Sequence, residues 1–312
     1  MRPHDMALAV LANVIWGLTY VAYPFALESF TASQMAVLRF LLASLPVLFV
    51  PRPKLPWRSI LAIGATLFTG QFLLLFLALA AGLPPGLASV TTQMHAFFAV
   101  LIAAVVLRER PTPRQAVGLL VAFAGLMLIA LTVGADLPPL ALGLAMLAAM
   151  SWATGSILLR QTPAGVAMVP LMIWCSLVPP IPAWLVSLAL DPDPSLIAAV
   201  ARSSAASLVA VVFLATLATP VAFAIWGRLM QRYPSAAVAP FALLSPCTGV
   251  VAVALVFGER FGPLRGAGMV LILLGLVVVV VPWPAVAARL RAGAGAVPLR
   301  RRPGCGPPSS RG

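Results

Sequence analysis

Charge is the commodity this sequence has least of. Only 9% of its 312 residues are Asp, Glu, Lys or Arg, where a water-soluble protein carries about 25%. A surface with so few ionised groups cannot face water, so the solvent this chain is built for is lipid. Lysine is almost missing: Lys54 is the single example, and without a second lysine no GxxxxGK[ST] phosphate loop exists. That excludes ATP-driven work by this chain alone and leaves a gradient, or the substrate itself, as the energy source. Carboxylates are few as well. Glu28, Glu109, Asp136, Asp191, Asp193 and Glu259 all stand near the ends of apolar runs. The clustered acids or His/Asp pair of an intramembrane enzyme are therefore not assembled, and the chain reads as a non-enzyme with no cofactor and no metal. Cys175, Cys247 and Cys305 are too few and too scattered for a disulfide framework. Ten-residue segments of alternating polarity, the mark of a membrane β-barrel, are absent too.

What is present is apolar length. Hydrophobic residues make up 62% of the chain and the mean hydropathy is +1.07. Crossing the hydrocarbon core takes roughly 20 apolar residues. Runs of that order, punctuated by Pro, Gly and charge, fall at 6–27, 32–50, 58–80, 84–107, 113–133, 139–160, 167–190, 204–228, 234–257 and 263–282. The expected fold is an all-α integral membrane protein of ten transmembrane helices. The first run, interrupted by Asn13, Trp16 and Thr19, is expected to be retained rather than cleaved as a signal peptide.

The net charge of +13 does not point to nucleic acid, because of where it sits. If the N-terminus is cytoplasmic, alternate loops place Arg52, Lys54, Arg58, Arg108, Arg110, Arg114, Arg160, Arg228, Arg232 and the Arg-rich stretch 289–311 on the cytoplasmic side. Most acids fall opposite. This is the positive-inside bias of a multi-pass protein with both termini cytoplasmic. The stretch 285–312, rich in Ala, Gly, Pro and Arg, is expected to be a disordered tail attracted to anionic lipid.

The chain is written twice. Val100, Ala104, Val106, Glu109-Arg110, Pro113, Gly118 and Gly125 return 150 positions later as Val250, Ala254, Val256, Glu259-Arg260, Pro263, Gly268 and Gly275. Trp16 returns as Trp152, 136 positions on, and the connection 191–204 has room for the difference. The boundaries expected are 1–135 and 136–284. Five spans is an odd number, so the second copy enters the membrane from the opposite side. Arg108 and Arg114 becoming Gly258 and Leu264 agrees with that. Inverted repeats supply two nearly equivalent packings, with substrate between them near the midplane.

Several side chains are candidates for that midplane site. Asn13, Trp16 and Tyr20 are three of them; they lie on one helical face, which Tyr23 continues without being taken as a site residue. Arg39 sits well inside a span, where a charge costs at least ~2.5–3.5 kcal/mol on insertion scales. It either partners a substrate carboxylate, or reaches the external interface or Glu28. His95 titrates near neutral pH in solution and either handles a coupling proton or makes a neutral interhelical contact. Gln93 is two residues away, about 200° around a helix, so both face one cavity only if the helix is broken there. Gln93 with Ser89 is the preferred choice. Gln71 adds a polar group, and Trp16, Tyr20, Trp152 and Trp174 are candidate cavity walls, the alternative being an interfacial belt that suits Trp57 and Trp283 better. Thr216 and Thr219 before Pro220, and Ser245 and Thr248 around Pro246, mark helices whose backbone is open or simply kinked. Glu109-Arg110 and Glu259-Arg260 are expected to be structural corners. The glycines at 118, 125, 268 and 275 permit close helix contact, within the chain or at a homodimer interface.

Asn13-Val-Ile-Trp-Gly-Leu18, Leu38-Arg-Phe-Leu-Leu-Ala43, Gly86-Leu-Ala-Ser-Val90, Gly258-Glu-Arg260 and the glycines of the last span resemble the EamA family of the drug/metabolite transporter superfamily, over about residues 6–284. Gln71-Phe72, the stretch Gln93 to Phe98, Ile173-Trp174, Ile225-Trp-Gly227 and Arg232-Tyr233 are similar to that family's bacterial exporters of O-acetylserine and cysteine. The resemblance implies a bacterial inner-membrane carrier that exports a small polar metabolite by alternating access. Its partners would be lipid, the substrate and a coupling proton. His95 departs from the pattern, standing where those exporters are expected to hold an uncharged residue such as Gln. Efflux of drugs or other metabolites is the alternative within the family.

Overall fold

The computed structural model describes residues 1–83, 91–108, 112–131, 138–233, 238, 241–242, 244–258 and 262–280. Ser89, Asp136, the corners Glu109-Arg110 and Glu259-Arg260, Trp283 and the basic tail with Cys305 lie outside them. The described residues form helices and no strands: α1 Pro3–Leu27, α2 Ala32–Ser44, α3 Trp57–Ala80, α4 Met94–Val106, α5 Pro113–Ala130, α6 Pro139–Arg160, α7 Met168–Leu190, α8 Ala205–Arg232, α9 Leu244–Phe257 and α10 Pro263–Val280. Five of them, α1, α3, α6, α7 and α8, are long and apolar enough to cross a membrane; the other apolar helices are shorter.

Local chemistry fixes the helix starts. Proline opens α5, α6 and α10 and stands at the first position of α1, where a missing N–H costs nothing. Thr31 and Gln34 form a reciprocal capping box on α2, the Thr31 hydroxyl taking the Gln34 N–H while the Gln34 amide oxygen takes the Thr31 N–H. Ser204 caps α8. The connection 191–204 is not a plain loop: Ser195 caps a short helix, Leu196–Arg202. Arg202 donates to the Asp193 carboxylate at 2.5 Å, and this bond holds the Asp193 carboxyl below the usual carboxylate range.

Two of the long helices change pitch in mid-span. In α8 the turn Leu217–Val221 is π-helical around Pro220, as Thr219 and Pro220 suggest. Pro220 has no N–H, Thr219 donates its hydroxyl to Leu214 O (2.8 Å), and Trp16 of α1 donates its indole N–H to Ala218 O (3.1 Å). In α3 a π stretch, Gly64–Gly70, has no proline behind it. Instead Ser151 of α6 donates to Thr66 O (2.7 Å). The flagged Pro246 breaks nothing, because it falls in the first turn of α9.

The packing exchanges the two halves. α1 lies mainly against α8 and α9, while α6, its counterpart, lies mainly against α3 and α4. α2 meets α7, and α5 meets α10. The α5–α10 contact is close because it is made backbone to backbone. A Cβ at Gly125 would stand 2.5 Å from Gly268 O, and one at Gly275 would stand 2.5 Å from Gly118 O. These pairings run in opposite senses along the two helices, so α5 and α10 are antiparallel, and the four glycines face each other within one chain. The largest apolar cluster, with Phe40, Phe68, Leu171, Met172, Trp226 and Leu229 fully buried, fills one end of the bundle.

Candidate functional site

The opposite end is hollow. A cavity of about 390 Å³ reaches from the middle of the bundle toward the end where α1 stops, α2 begins and α3 stops. Its walls come from α1, α2, α3, α6, α8 and α9 and from the residues ahead of α4. That is where the exchanged packing brings the two halves into one space.

Eight of the eleven candidate residues line it: Trp16, Tyr20, Arg39, Gln71, Gln93, His95, Trp152 and Ser245. Three do not. Asn13, one turn below Trp16, is fully buried against its own helix, its amide donating to Ala9 O at 2.7 Å. Thr219 is also fully buried and touches the site only through Arg39. Trp174 corrects the expectation of a cavity wall: its indole donates to Val50 O (3.2 Å) and its ring meets Trp57 edge to face at 5.6 Å, at the far end of α3. Trp57 itself is half exposed and carries Arg52 over its ring, as an interfacial residue should.

Arg39 is the electrostatic centre. Only 3% exposed, it neither reaches the interface nor pairs with Glu28. Nε donates to the Thr219 hydroxyl (2.8 Å), Nη1 donates to the Tyr23 hydroxyl (3.1 Å), and the guanidinium lies 4.6 Å from the Phe72 ring centroid. An arginine has five N–H donors, and these two bonds use two. No carboxylate is among the described residues of the cavity wall. A buried cation held in place but not neutralised favours an anionic group in the space before it.

The polar groups across the cavity come from the entry to α4. The helix is interrupted at Gln93, which stands in a turn ahead of Met94, and this break lets Gln93 and His95 face the same space. His95 Nδ1 meets the carbonyl oxygen of Thr92, and the His95 ring packs 4.1 Å from the Trp152 ring. The Gln93 and Thr92 side chains lie beside the Tyr20 phenol. Gln71 Oε1, Gln93 Oε1 and His95 Nε2 are buried without a hydrogen-bond partner. Trp16, Trp152 and Trp226 form a tilted cluster beneath, with ring centroids 5.5–6.5 Å apart.

Residues that sequence reasoning left out of the site include Thr19, Tyr23, Met35, Phe72, Phe76 and Phe223. Tyr23 had a signal, since it continues the Trp16–Tyr20 face by one turn. The phenylalanines had none, because an apolar wall and an apolar core read alike in a chain this hydrophobic.

The cavity closes at the end bearing the N-terminus of α1. Asp5, 1% exposed, accepts from the Tyr233 hydroxyl (2.7 Å) and from Arg232 Nη1 (3.4 Å), and Tyr233 in turn accepts the Arg2 N–H (3.2 Å). At the other end Asp191 Oδ2 gathers the hydroxyls of Thr31 (2.8 Å), Ser33 (2.5 Å) and Ser187 (2.5 Å). The Asp5 contacts, and those of Asp191 with Thr31 and Ser33, tie one half to the other, while Ser187 holds Asp191 from the end of its own helix.

A shared cavity between two exchanged sets of helices, built in an apolar chain, is the arrangement of a repeat-built membrane transporter. The sequence matches the EamA-like transporter family over residues 5–131 and again over 139–281, and the chain belongs to that family, with one family unit in each half. It is 36% identical over 283 residues to a protein of Escherichia coli (strain K12) named as a probable amino-acid metabolite efflux pump, covering 88% of this chain and 94% of that one. The protein of the same name from Salmonella typhimurium is 35% identical over the same length and coverage. An uncharacterized transporter of Archaeoglobus fulgidus is 28% identical over 123 residues, 38% of this chain and 45% of its own. A crystal structure superposes with a TM-score of 0.72 at 19% identity, covering 93% of this chain and 99% of the other. At that identity the likeness speaks for the fold alone.

Proposed function

We propose that this chain is a secondary carrier that exports a small amino-acid metabolite of the cysteine or O-acetylserine kind. It works by alternating access between two inverted five-helix repeats, ten spans in all, in a bacterial inner membrane with both termini cytoplasmic. The observation that carries the reading is Arg39, a buried guanidinium at the wall of a closed-ended cavity with no carboxylate among the described lining residues to neutralise it. An α-carboxylate supplies the missing charge, Gln71 and Gln93 meet the polar groups, and the tryptophans enclose the apolar body. The names of the relatives support the substrate class, and the antiparallel α5–α10 pairing supports the inversion. On this reading the cavity opens outward.

The test is uptake into proteoliposomes of the purified protein, using labelled cysteine, O-acetylserine and an amino-acid panel, with and without a pH gradient. Saturable uptake with counterflow is expected for at least one of them. Uptake of none removes the substrate class, and non-saturating flux without counterflow replaces the carrier with a passive pore. The apolar wall of Phe72, Leu75, Phe76 and Leu79 favours one further reading, efflux of larger amphipathic compounds. Ethidium moving while the amino acids do not would establish it.

A further inference from the structure

The cavity wall has unmatched acceptors as well as an unneutralised cation. Gln71 on α3, Gln93 ahead of α4 and His95 at the start of α4 all line the cavity, and each has an acceptor that is buried without a partner: Oε1, Oε1 and Nε2. The histidine's role follows from its other nitrogen. Nδ1 faces the Thr92 carbonyl oxygen; a carbonyl only accepts, so Nδ1 carries the proton and Nε2 of the neutral ring is a lone pair. Gln93 is 93% buried by its 7% exposure. Leaving a buried acceptor unmatched costs about 1–3 kcal/mol; the three side chains line the cavity but the acceptor atoms are turned away from its open space, so an incoming donor reaches them by rotating the side chain that bears them. Buried unmatched groups of this kind call for an explanation.

We infer that Gln71, Gln93 and His95 form an ammonium subsite, so that the cavity selects zwitterions with a free α-amine. The inference rests on the amino-acid carrier reading and adds the second half of the recognition. A protonated amine brings three N–H donors, as many as the wall has unmatched acceptors, whereas an N-acylated amine brings one. The acceptors are neutral for a physical reason. A carboxylate here would share a low-dielectric cavity with Arg39, pair with it when the site was empty, and oblige every substrate to break that pair. Neutral acceptors leave the guanidinium available for the substrate's carboxylate. The other titratable or charged groups facing His95 are Tyr20 and Tyr23 from α1 and Arg39 from α2. α6 contributes Trp152, and α9 contributes Ser245. None of these supplies an anion that would compete for the ammonium.

Tryptophan fluorescence of the purified full chain in detergent tests this, with Trp16 and Trp152 as reporters in the wall. The ligands are S-methyl-L-cysteine, its N-acetyl derivative and n-butylammonium chloride. The free amino acid is expected to bind at least about tenfold more tightly than the N-acetyl form, the loss of roughly one well-placed hydrogen-bonded charge. Gln71→Leu with Gln93→Leu brings the two within about twofold and abolishes the butylammonium response, while His95→Gln, which keeps an acceptor, retains the preference. Equal binding of both amino-acid forms by the unaltered protein overturns the inference, as does a preference that survives the double substitution. Should the double variant not fold, Gln93→Glu takes its place: it must tighten butylammonium binding, and failure to do so is equally fatal. The two readings fail separately. If the panel is not transported but the butylammonium response still depends on Gln71 and Gln93, the subsite stands without the amino-acid carrier. Saturable amino-acid uptake blind to N-acetylation leaves the carrier without the subsite.

Discussion

Arg39 and Cys175 occupy the same place in the two halves. Each is the seventh residue after the start of its helix, Ala32 in α2 and Met168 in α7, and they are 136 positions apart, as Trp16 and Trp152 are. Each reaches toward the helix that changes pitch in the opposite half. Arg39 donates to Thr219 in the π turn of α8, and Cys175 lies with Sγ 3.5 Å from Ile60 O, just ahead of the π stretch of α3. There the likeness stops. Around Arg39 the space is open and lined by hydroxyls and amides; around Cys175 it is dry, closed by Leu171, Met172 and Trp226. A two-fold frame therefore holds a one-fold site. On the proposed carrier reading, the symmetry provides two ways of packing the helices, and the substrate chemistry is written only once.

The largest effect expected follows from that asymmetry. Arg39→Gln keeps a side chain able to bond Thr219 but removes the charge, and uptake efficiency should fall by about 10- to 100-fold, from a charged hydrogen bond of about 1.5–3 kcal/mol. Arg39→Lys should not restore it, because a lysine cannot hold Thr219 and Tyr23 while presenting further donors in a fixed fork. Full uptake by Arg39→Gln in proteoliposomes would move the substrate's anion elsewhere and erase the contrast with Cys175.

A second test addresses the frame itself. Gly125→Ala and Gly275→Ala each press a methyl group against a carbonyl oxygen 2.5 Å away on the facing helix. Each should destabilise by about 1–3 kcal/mol, as overpacking does, and by similar amounts, since the two contacts, Gly125 against Gly268 and Gly275 against Gly118, are equivalent positions of the two halves. Thermal unfolding of the purified variants measures this. A loss confined to one of the two would mean that α5 and α10 are not related as the repeat implies.

Much of this frame was legible in the sequence because it rests on glycine, proline and charge, which are rare here and so informative. The repeated Gly118/Gly125 and Gly268/Gly275 pairs, the proline at the head of α5 and α10, and Pro220 in α8 all mark features that the fold contains. The π stretch in α3 was not legible, because it depends on Ser151 of a distant helix rather than on a local proline. Eight of the candidates line the cavity, and they could be picked out because a polar or aromatic side chain with an N–H or O–H stands out in an apolar span. Trp174 was misplaced for the converse reason: an aromatic ring in mid-sequence carries no label telling a cavity from a helix-end contact. The joint exposure of Gln93 and His95 turned on a break in backbone hydrogen bonding that neither residue encodes.

A smaller effect should come from the closed end of the bundle. Tyr233→Phe preserves the ring and removes the 2.7 Å hydrogen bond to the buried Asp5 carboxylate. If that contact holds the end shut, its loss shifts the balance between the two packings toward opening this end, by less than the whole contact because Arg232 remains. A maleimide should then reach a cysteine introduced by Met230→Cys, at a position now 1% exposed, several-fold faster than in the parent. Unchanged labelling would assign the Asp5 cluster to stability rather than to gating.

The smallest effect belongs to the other member of the opening comparison. Cys175 contributes packing and a weak S–H contact in a site already dry, so Cys175→Ala should cost about 1–2 kcal/mol of stability, within the ordinary range for trimming a small core side chain, and leave the substrate preference unchanged. That near-silence is useful. Removing Cys175 together with Cys247 and Cys305 gives a cysteine-free carrier, into which Glu109→Cys and Glu259→Cys can be placed one at a time. An impermeant maleimide should label the two from opposite faces of the membrane if, as proposed, the two copies of this segment belong to oppositely inserted repeats. Labelling from one face would leave the cavity and its Arg39 in place but remove the symmetry that lets it open to either side, and Arg39 and Cys175 would then no longer be two versions of one position.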